Sequence, residues 1–204
     1  MSLHCPARLF VARPGEATDA AGASRRGDAG GTLSDVGREQ AAALARRLEP
    51  QRVAAAYSSA LGRAIETAEV VGTRLGVPTR ALAGLDDIRV GDCAGPPAGD
   101  RVCQDVLDAW AAGDLAVRMP GAESGAEVVA RVRAALEEIA DLHRGEQVVV
   151  VTHGAVMSLV LPRLAGTVPA DLAVGRPVPH AHAVELTIGD DGWALTGWPE
   201  ASSA

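Results

Sequence analysis

Lysine and asparagine are both absent from this sequence, and all 19 basic residues are arginines. A Schiff-base mechanism and a P-loop each need a lysine, so the chain can support neither. A bound phosphate would have to be held by arginine, histidine, hydroxyl groups or backbone N–H groups. No Gly-x-Gly-x-x-Gly segment follows a predicted strand, which argues against a Rossmann dehydrogenase.

Aromatic residues are scarce at 2%, so the core is expected to consist of Ala, Val and Leu. The three cysteines, Cys5, Cys93 and Cys103, are too few and too widely spaced for a disulfide framework and are predicted to be reduced. A net charge of -7 disfavours nucleic acid and anionic membranes as partners. Because the sequence has no long apolar run and no secretory signal, a cytoplasmic protein is expected. No cofactor and no metal are expected either.

Short apolar segments alternate with amphipathic segments along most of the chain. Strands are predicted at 8–13, 53–57, 79–85, 147–152, 184–188 and 193–198, and helices at 34–48, 61–75, 102–112, 124–142 and after residue 154. Such alternation is typical of a mostly parallel sheet covered by helices on both faces. We expect one domain, 1–204, with a three-layer α/β/α sandwich. The Gly- and Pro-rich stretch at about 87–119 is predicted to be an insertion or lid.

Polar and charged side chains directly follow several of the predicted strands. They are Arg13, Ser58, Ser59, Asp86, Asp87 and His153. In parallel sheets the ligand site lies at the carboxyl ends of the strands. Arg63 lies one turn into the helix after the second strand. Two guanidiniums, an imidazole and a helix N-terminus that face one point would form a phosphate site.

Five segments, taken in order and with their spacing, resemble the motifs of the histidine phosphatase (phosphoglycerate mutase-like) superfamily. They are 13–16 (Arg-Pro-Gly-Glu), 33–41 (Leu-Ser-Asp-Val-Gly-Arg-Glu-Gln-Ala), 58–68 (Ser-Ser-Ala-Leu-Gly-Arg-Ala-Ile-Glu-Thr-Ala), 120–124 (Pro-Gly-Ala-Glu-Ser) and 151–154 (Val-Thr-His-Gly). The resemblance runs from end to end of the chain. It implies the phosphoglycerate mutase-like fold and phosphatase or phosphomutase chemistry.

The resemblance implies that Arg13, Arg63 and His153 bind the transferring phosphoryl group, with the backbone amide of Gly154 nearby. The alternatives are that Arg63 is a solvated helix residue and that His153 is a structural histidine. These four residues form the expected phosphate-binding set.

The family acid usually lies a few residues before a Gly-Asp-Trp-Glu-Gly stretch. Counting back from the corresponding segment 91–95 (Gly-Asp-Cys-Ala-Gly) implies that this acid is Asp87, with Asp86 as the neighbouring candidate. Asp87 and His153 are therefore the candidate catalytic residues. An aspartate in place of the family's glutamate keeps the proton but shortens the reach.

The chain departs from the family pattern at four further positions. The family nucleophile is the histidine after the first arginine, which forms a phosphohistidine, and this chain has Pro14 there. Proline has no basic side-chain atom and no backbone N–H, so the nucleophile is predicted to be lost. Ala20 stands for an asparagine, and Cys93 and Ala94 stand for the tryptophan and glutamate near the acid.

Four further residues are possible contributors to the site. Glu16 belongs either to a turn or to the site, and Glu123 lies where a capping box equally predicts a helix start. His180 and His182 precede the penultimate strand, which would begin at the active-site edge if it ran antiparallel. A spacing of two would put both on one face, so a metal pair is conceivable, although ordinary edge residues are the simpler interpretation.

Three functions are compatible with this sequence. The first is a pseudophosphatase that binds a phosphorylated or other anionic small molecule. The second is an enzyme with an altered mechanism, in which water attacks directly or Asp87 and His153 serve as acid and base in a non-phosphoryl reaction. The third is a structural or dimerisation module with a vestigial pocket. A homodimer is possible in each case.

Overall fold

A computed structural model describes residues 5–18, 31–94, 97–166 and 176–199. The strands are β1 (Ala7–Ala12), β2 (Ala17–Thr18), β3 (Thr32–Leu33), β4 (Ala55–Ser58), β5 (Thr79–Ala81), β6 (Gln147–Val151), β7 (Ala183–Gly189) and β8 (Gly192–Thr196). The α-helices are α1 (Asp35–Leu48), α2 (Gly62–Leu75), α3 (Pro97–Ala111), α4 (Gly125–Leu142) and α5 (Gly154–Ala165), and short 3-10 helices lie at Glu49–Gln51, Ala83–Leu85 and Gly91–Ala94.

Within these residues, six strands form one sheet in the order β5-β4-β6-β1-β7-β8. Strands β5, β4, β6 and β1 run parallel, whereas β7 is antiparallel to β1 and β8 is antiparallel to β7. The predicted mixed α/β fold with a mostly parallel sheet is confirmed. The antiparallel direction of β7 brings its first residue, Ala183, beside the last residue of β1, Ala12.

Strand β6 lies between β4 and β1, and its valines pack on both faces of the sheet. Val148 and Val150 join a large apolar cluster that includes residues of α3, α4 and α5, while Val149 and Val151 join a smaller cluster with residues of α1 and α2. All four are buried, which explains the unbroken β-branched run, because a strand with helices on both faces has no polar side.

Side chains cap the starts of two helices. Ser34 accepts a hydrogen bond from Gly37 N at the start of α1. At the start of α4, Ser124 and Glu127 form the predicted capping box, in which each side chain bonds the other's backbone N–H. Helix α2 ends at Gly76, whose φ of 68° falls in the left-handed region that glycine tolerates.

The structure corrects several details of the sequence interpretation. Val36 and Leu142 share the apolar spacing that predicts the buried faces of their helices, but they are 51% and 58% exposed. Both lie at helix ends, where the buried residues are Gly37, directly after Val36, and Ile139, one turn before Leu142. The third strand is only Thr79–Ala81, and the helix predicted at 102–112 spans Pro97–Ala111.

The segment predicted as a lid contributes several side chains to the larger apolar cluster. Cys93, Cys103, Val106, Trp110 and Met119 are buried there. The indole of Trp110 also donates to Val117 O at 2.8 Å. The role as a lid and the single-domain organisation stay predictions. Across the described parts of the chain, no helix has both the length and the apolar character to cross a membrane.

Candidate functional site

Three neighbouring strands end at the same level and deliver the predicted polar residues to one edge of the sheet. Ala12 of β1 and Ser58 of β4 both pair in register with Val151 of β6. The residues that follow these strands, with those that the next helices and loops add, form what we call the strand-end cluster. It consists of Arg13, Ser59, Arg63, Asp87 and His153.

His153 lies at the centre of this cluster and is 3% exposed. Its Nδ1 is 3.0 Å from Nη2 of Arg63, and its Nε2 is 2.7 Å from the hydroxyl oxygen of Ser59. A guanidinium can only donate, so Nδ1 accepts, and the ring proton must lie on Nε2 and point to Ser59. Burial, followed by the positive charges of Arg63, Arg131 and Arg13, lowers the pKa of His153 to about 3. The ring is therefore neutral at physiological pH.

Asp87 completes the cluster beside both Arg63 and His153, and its Oδ2 is 3.5 Å from Nδ1 of His153. Its Oδ2 accepts from Nη2 of Arg63 at 2.9 Å, and its Oδ1 accepts from Ile88 N at 2.9 Å. Burial raises the pKa of Asp87, although Arg63 opposes this effect. The alternative acid, Asp86, instead accepts from Ala60 N at 2.7 Å. The structure thus brings Asp87, rather than Asp86, into contact with Arg63.

A second ion pair holds the loop that carries Asp87. The Nε and Nη2 atoms of Arg131 donate to the two carboxylate oxygens of Glu123 at 2.9 and 2.8 Å. The same guanidinium donates to the backbone carbonyls of Gly84, Asp86 and Asp87. Burial raises the pKa of Glu123, but the hydrogen bonds from Arg131 and Arg89 N outweigh this and leave it lowered. Glu123 is therefore bound to Arg131 and fixes the loop beside the cluster.

Arg131 was missed in the sequence interpretation. It lies on α4, where an arginine between apolar positions looks like an ordinary solvated residue. The hydrogen bonds of Arg131 to three carbonyls depend on the backbone path from the 3-10 helix Ala83–Leu85 to Ile88. Sequence periodicity does not predict this path. A second tie to this loop comes from Thr152, whose hydroxyl donates to Leu85 O at 2.7 Å.

The guanidinium of Arg13 is held by the segment that precedes β7. Its Nη1 donates to Val178 O at 3.0 Å, and its Nη2 is 3.1 Å from Nε2 of His180. The Nδ1 of His180 is 3.1 Å from Pro14 O. The pKa of Arg13 is lowered by burial and by Arg63, whereas Asp87 raises it. Arg13 thus interacts electrostatically with both charged partners of the cluster.

His180 and His182 were expected to share one face of a strand, and this expectation is wrong. Strand β7 begins only at Ala183, and Ala181 between the two histidines has a φ of 49°. The left-handed residue breaks the alternation on which the expectation rested. His182 is exposed and contributes its carbonyl oxygen, which accepts from Arg13 N at 3.1 Å. Within the described ranges, no group of three or more His, Cys, Asp or Glu side chains is placed to hold a metal ion.

Pro14 and Gly15 form a buried turn between β1 and the following segment. Gly15 N donates to the hydroxyl of Thr67 at 3.1 Å, and a Cβ at Gly15 would lie 2.4 Å from Gly37 O. Only glycine fits this approach. The carboxylate of Glu16 accepts from the hydroxyl of Ser34 at 2.9 Å, at the start of α1. Glu16 is exposed and is anchored to α1 rather than to the strand-end cluster.

Comparison with known proteins identifies the family of this arrangement. Residues 9–201 match the family model described as the histidine phosphatase superfamily (branch 1). The chain belongs to the histidine phosphatase superfamily. It is 30% identical over 201 residues to phosphoglycerate mutase-like protein 4 of Arabidopsis thaliana, covering 96% of this chain and 86% of the relative. It is also 30% identical over 199 residues to the metal-independent phosphoserine phosphatase of the same plant, with coverages of 95% and 82%.

Solved structures of the superfamily have the same architecture. The mycobacterial glucosyl-3-phosphoglycerate phosphatase superimposes with a TM-score of 0.76 at 27% identity, covering 94% of this chain and 97% of that chain. The Bacillus stearothermophilus protein YhfR superimposes with a TM-score of 0.78 at 27% identity, with coverages of 96% and 98%. The predicted membership of the superfamily is confirmed.

The residues matched to phosphoryl binding, Arg13, Arg63 and His153, form the strand-end cluster, and Gly154 begins α5 directly beside the Arg13 side chain. Pro14, at the position where the motif resemblance predicts the nucleophile, is buried directly after Arg13. Cys93 is buried in the large apolar cluster, and Ala20 lies outside the described residues. The cationic part of the site is present, whereas position 14 offers no nucleophile.

Proposed function

We propose that this protein binds a phosphorylated or other anionic small molecule and does not form a phosphohistidine at position 14. It acts as a pseudophosphatase of the histidine phosphatase superfamily. The observation that carries the proposal is the strand-end cluster: two arginines and a neutral histidine are grouped beside Pro14, which cannot be phosphorylated.

The electrostatics of the cluster support anion binding. Arg13 and Arg63 are close enough that each charge affects the other, which costs free energy unless a negative charge lies between or beside them. Asp87 supplies one such charge through its ion pair with Arg63. Helix α5 begins at Gly154 next to the Arg13 side chain, and a helix N-terminus favours an anion. A phosphate oxygen could thus contact both guanidiniums and the start of α5.

Chemistry at position 14 is limited by its covalent structure. A proline side chain carries no lone pair, so it cannot attack phosphorus. His153 is a poor substitute base, because its Nδ1 accepts from Arg63 and its pKa is lowered to about 3 by burial and nearby arginines. Loss of a nucleophile costs up to about 10⁶ in rate in a well-studied hydrolase. Turnover of simple phosphomonoesters is therefore expected to be very low.

The proposal is tested by anion affinity, measured by calorimetry with phosphate, sulfate and vanadate. Arg63→Ala should weaken binding by tenfold or more, since charge-assisted hydrogen bonds are the stronger kind (about 1.5–3 kcal/mol each). Arg133→Ala is the matched control, because Arg133 is exposed on α4 and pairs with Glu137. A ligand at about 100 times its Kd should also stabilise the native protein by about 2.7 kcal/mol. Unchanged affinity in Arg63→Ala would refute the site.

One observation favours an alternative, an enzyme in which water attacks phosphorus directly. Burial raises the pKa of Asp87, and a protonated carboxyl can give its proton to the leaving oxygen as the ester P–O bond breaks. In that case Asp87→Ala should abolish hydrolysis of an aryl phosphate, while Asp86→Ala should retain it. If neither anion binding nor hydrolysis is found, a structural or dimerisation module with a vestigial pocket becomes the better account.

A further inference from the structure

We propose that His180 is a positioning residue, which accepts a hydrogen bond from Arg13 and holds its guanidinium in place for the anion. The inference rests on the proposed function, since it assigns Arg13 an anion to bind. It starts from two hydrogen bonds of one imidazole, to Pro14 O and to Nη2 of Arg13, each 3.1 Å long.

The two partners fix which nitrogen of His180 carries the proton. A carbonyl oxygen can only accept, so Nδ1 must donate to Pro14 O. A guanidinium can only donate, so Nε2 must accept from Arg13. The ring is thus held in the Nδ1–H form. The pKa of His180 is lowered by burial and by Arg13, although Pro14 O and Glu16 act in the opposite direction, and this keeps the acceptor nitrogen unprotonated.

The backbone next to His180 is tied to the same segment as Arg13 and Pro14, which fixes the point from which the exposed imidazole projects. Ala181 N donates to the carbonyls of Arg13 and Pro14 at 3.0 and 3.2 Å. Arg47 donates to Ala181 O at 2.5 Å from the side of α1. The left-handed conformation of Ala181, with φ of 49°, is stabilised by these contacts on both sides. These hydrogen bonds hold the backbone of His180 at a fixed distance from Arg13.

The consequence for Arg13 is a defined orientation. Val178 O takes a donor from Nη1 and His180 takes one from Nη2. A guanidinium has five N–H groups. Two of them bond Val178 O and His180 in the described part of the chain, and the other N–H groups of Arg13 can donate to an anion. Pre-ordering a long side chain in this way reduces the entropy cost of ligand binding. His180 therefore acts on the anion through Arg13.

Two amide substitutions separate the two hydrogen bonds. The amide of glutamine lies about as far from the backbone as Nε2, so His180→Gln can still accept from Arg13. The amide of asparagine lies about as far as Nδ1, so His180→Asn can keep only the bond to Pro14 O. His180→Ala and His180→Asn should weaken sulfate binding about tenfold, and His180→Gln should restore most of it. His182→Gln is the control, because that side chain is exposed and only its backbone contacts Arg13.

The outcomes distinguish this proposal from the proposed function. If the native protein binds sulfate and Arg63→Ala does not, the pocket stands. Equal affinity of the native protein and His180→Ala, or rescue by Asn instead of Gln, then overturns the positioning role.

The ring nitrogens provide a readout that needs no ligand. Nitrogen NMR of the native protein, assigned with His180→Gln, should show a protonated Nδ1 and an unprotonated Nε2 for His180, opposite to His153. The reverse form, or a phosphorylated His180 after incubation with an aryl phosphate, would refute the proposal even if no anion bound.

Discussion

Arg63 donates to Asp87 across 2.9 Å, so a cation expected to hold an anion is already paired with a carboxylate of the same pocket. An incoming dianion must compete with this carboxylate and is repelled by it at short range. Burial raises the pKa of Asp87, although the charge of Arg63 opposes this rise. The carboxyl therefore gains a proton more readily than a solvent-exposed aspartate would. Anion binding should therefore be accompanied by proton uptake at Asp87.

The affinity for sulfate is expected to increase as the pH is lowered and Asp87 gains its proton, since sulfate itself keeps its charge at mildly acidic pH. Asp87→Asn removes the competing charge, and at pH 8 it should bind sulfate about tenfold more tightly than the native protein, with a flatter pH profile. Calorimetry at several pH values measures both effects. Asp86→Asn should behave like the native protein, because Asp86 bonds Ala60 N instead. Weaker binding by Asp87→Asn would contradict the proposed competition.

Acid should destabilise the protein through His153. In the unfolded chain this histidine gains a proton near its ordinary pKa of 6.5, whereas burial and the neighbouring arginines lower its pKa in the folded state to about 3. The unfolded state thus binds more protons between these values, and stability is lost as the pH falls from about 6.5 towards 3. Between pH 7 and pH 5 the free energy of unfolding should fall by about 2 kcal/mol from this group alone.

Urea denaturation of the native protein and of His153→Gln at the two pH values isolates that contribution. The variant is expected to be less stable at pH 7, because one hydrogen bond to Arg63 or Ser59 is lost. Its disadvantage should shrink or disappear at pH 5. His182→Gln serves as a control for removal of an exposed histidine. An equal disadvantage at both pH values would mean that His153 is protonated in the folded state.

The sequence was a good guide to elements with a strong pattern. The valine run of β6 and the capping box of α4 both identify their element without any tertiary information, because burial on two faces and paired caps leave direct traces in the residue order. Exposure at helix ends was harder to predict. Val36 and Leu142 continue an apolar pattern past the point where the opposing surface stops.

The site residues that directly follow strands were predicted from the sequence. The contacts that depend on the path of a loop were not. The carboxyl ends of β1, β4 and β6 had to meet, so the grouping of Arg13 with His153 followed from the topology. The contact of His180 with Arg13 depends on the left-handed conformation of Ala181. An alanine in the sequence does not predict that conformation, because left-handed residues other than glycine are uncommon. The capture of loop carbonyls by Arg131 likewise depends on a loop path that periodicity cannot encode.

The turn around Pro14 is held by its neighbours rather than by the proline ring. Arg13 N donates to His182 O, Gly15 N donates to Thr67, and Pro14 contributes only its carbonyl oxygen to His180 and Ala181. Replacing the side chain at position 14 therefore removes none of these hydrogen bonds. A histidine there would stand between Arg13 and Gly15, as the histidine phosphatase motif has it.

Pro14→His is accordingly expected to gain hydrolysis of an aryl phosphate over the native protein and to form an acid-labile phosphoenzyme. The gain should stay modest, because Cys93 and Ala94 also depart from the family pattern and a slightly misplaced nucleophile loses much of its rate. Pro14→Gln is the matched control, since it has a similar polar side chain without an imidazole, and adding Arg63→Ala to Pro14→His should remove the gain. Release of the aryl group and labelling of the protein by the phosphate are measured in parallel. A folded Pro14→His protein that binds sulfate but neither turns over nor becomes labelled would count against the view that position 14 faces the anion.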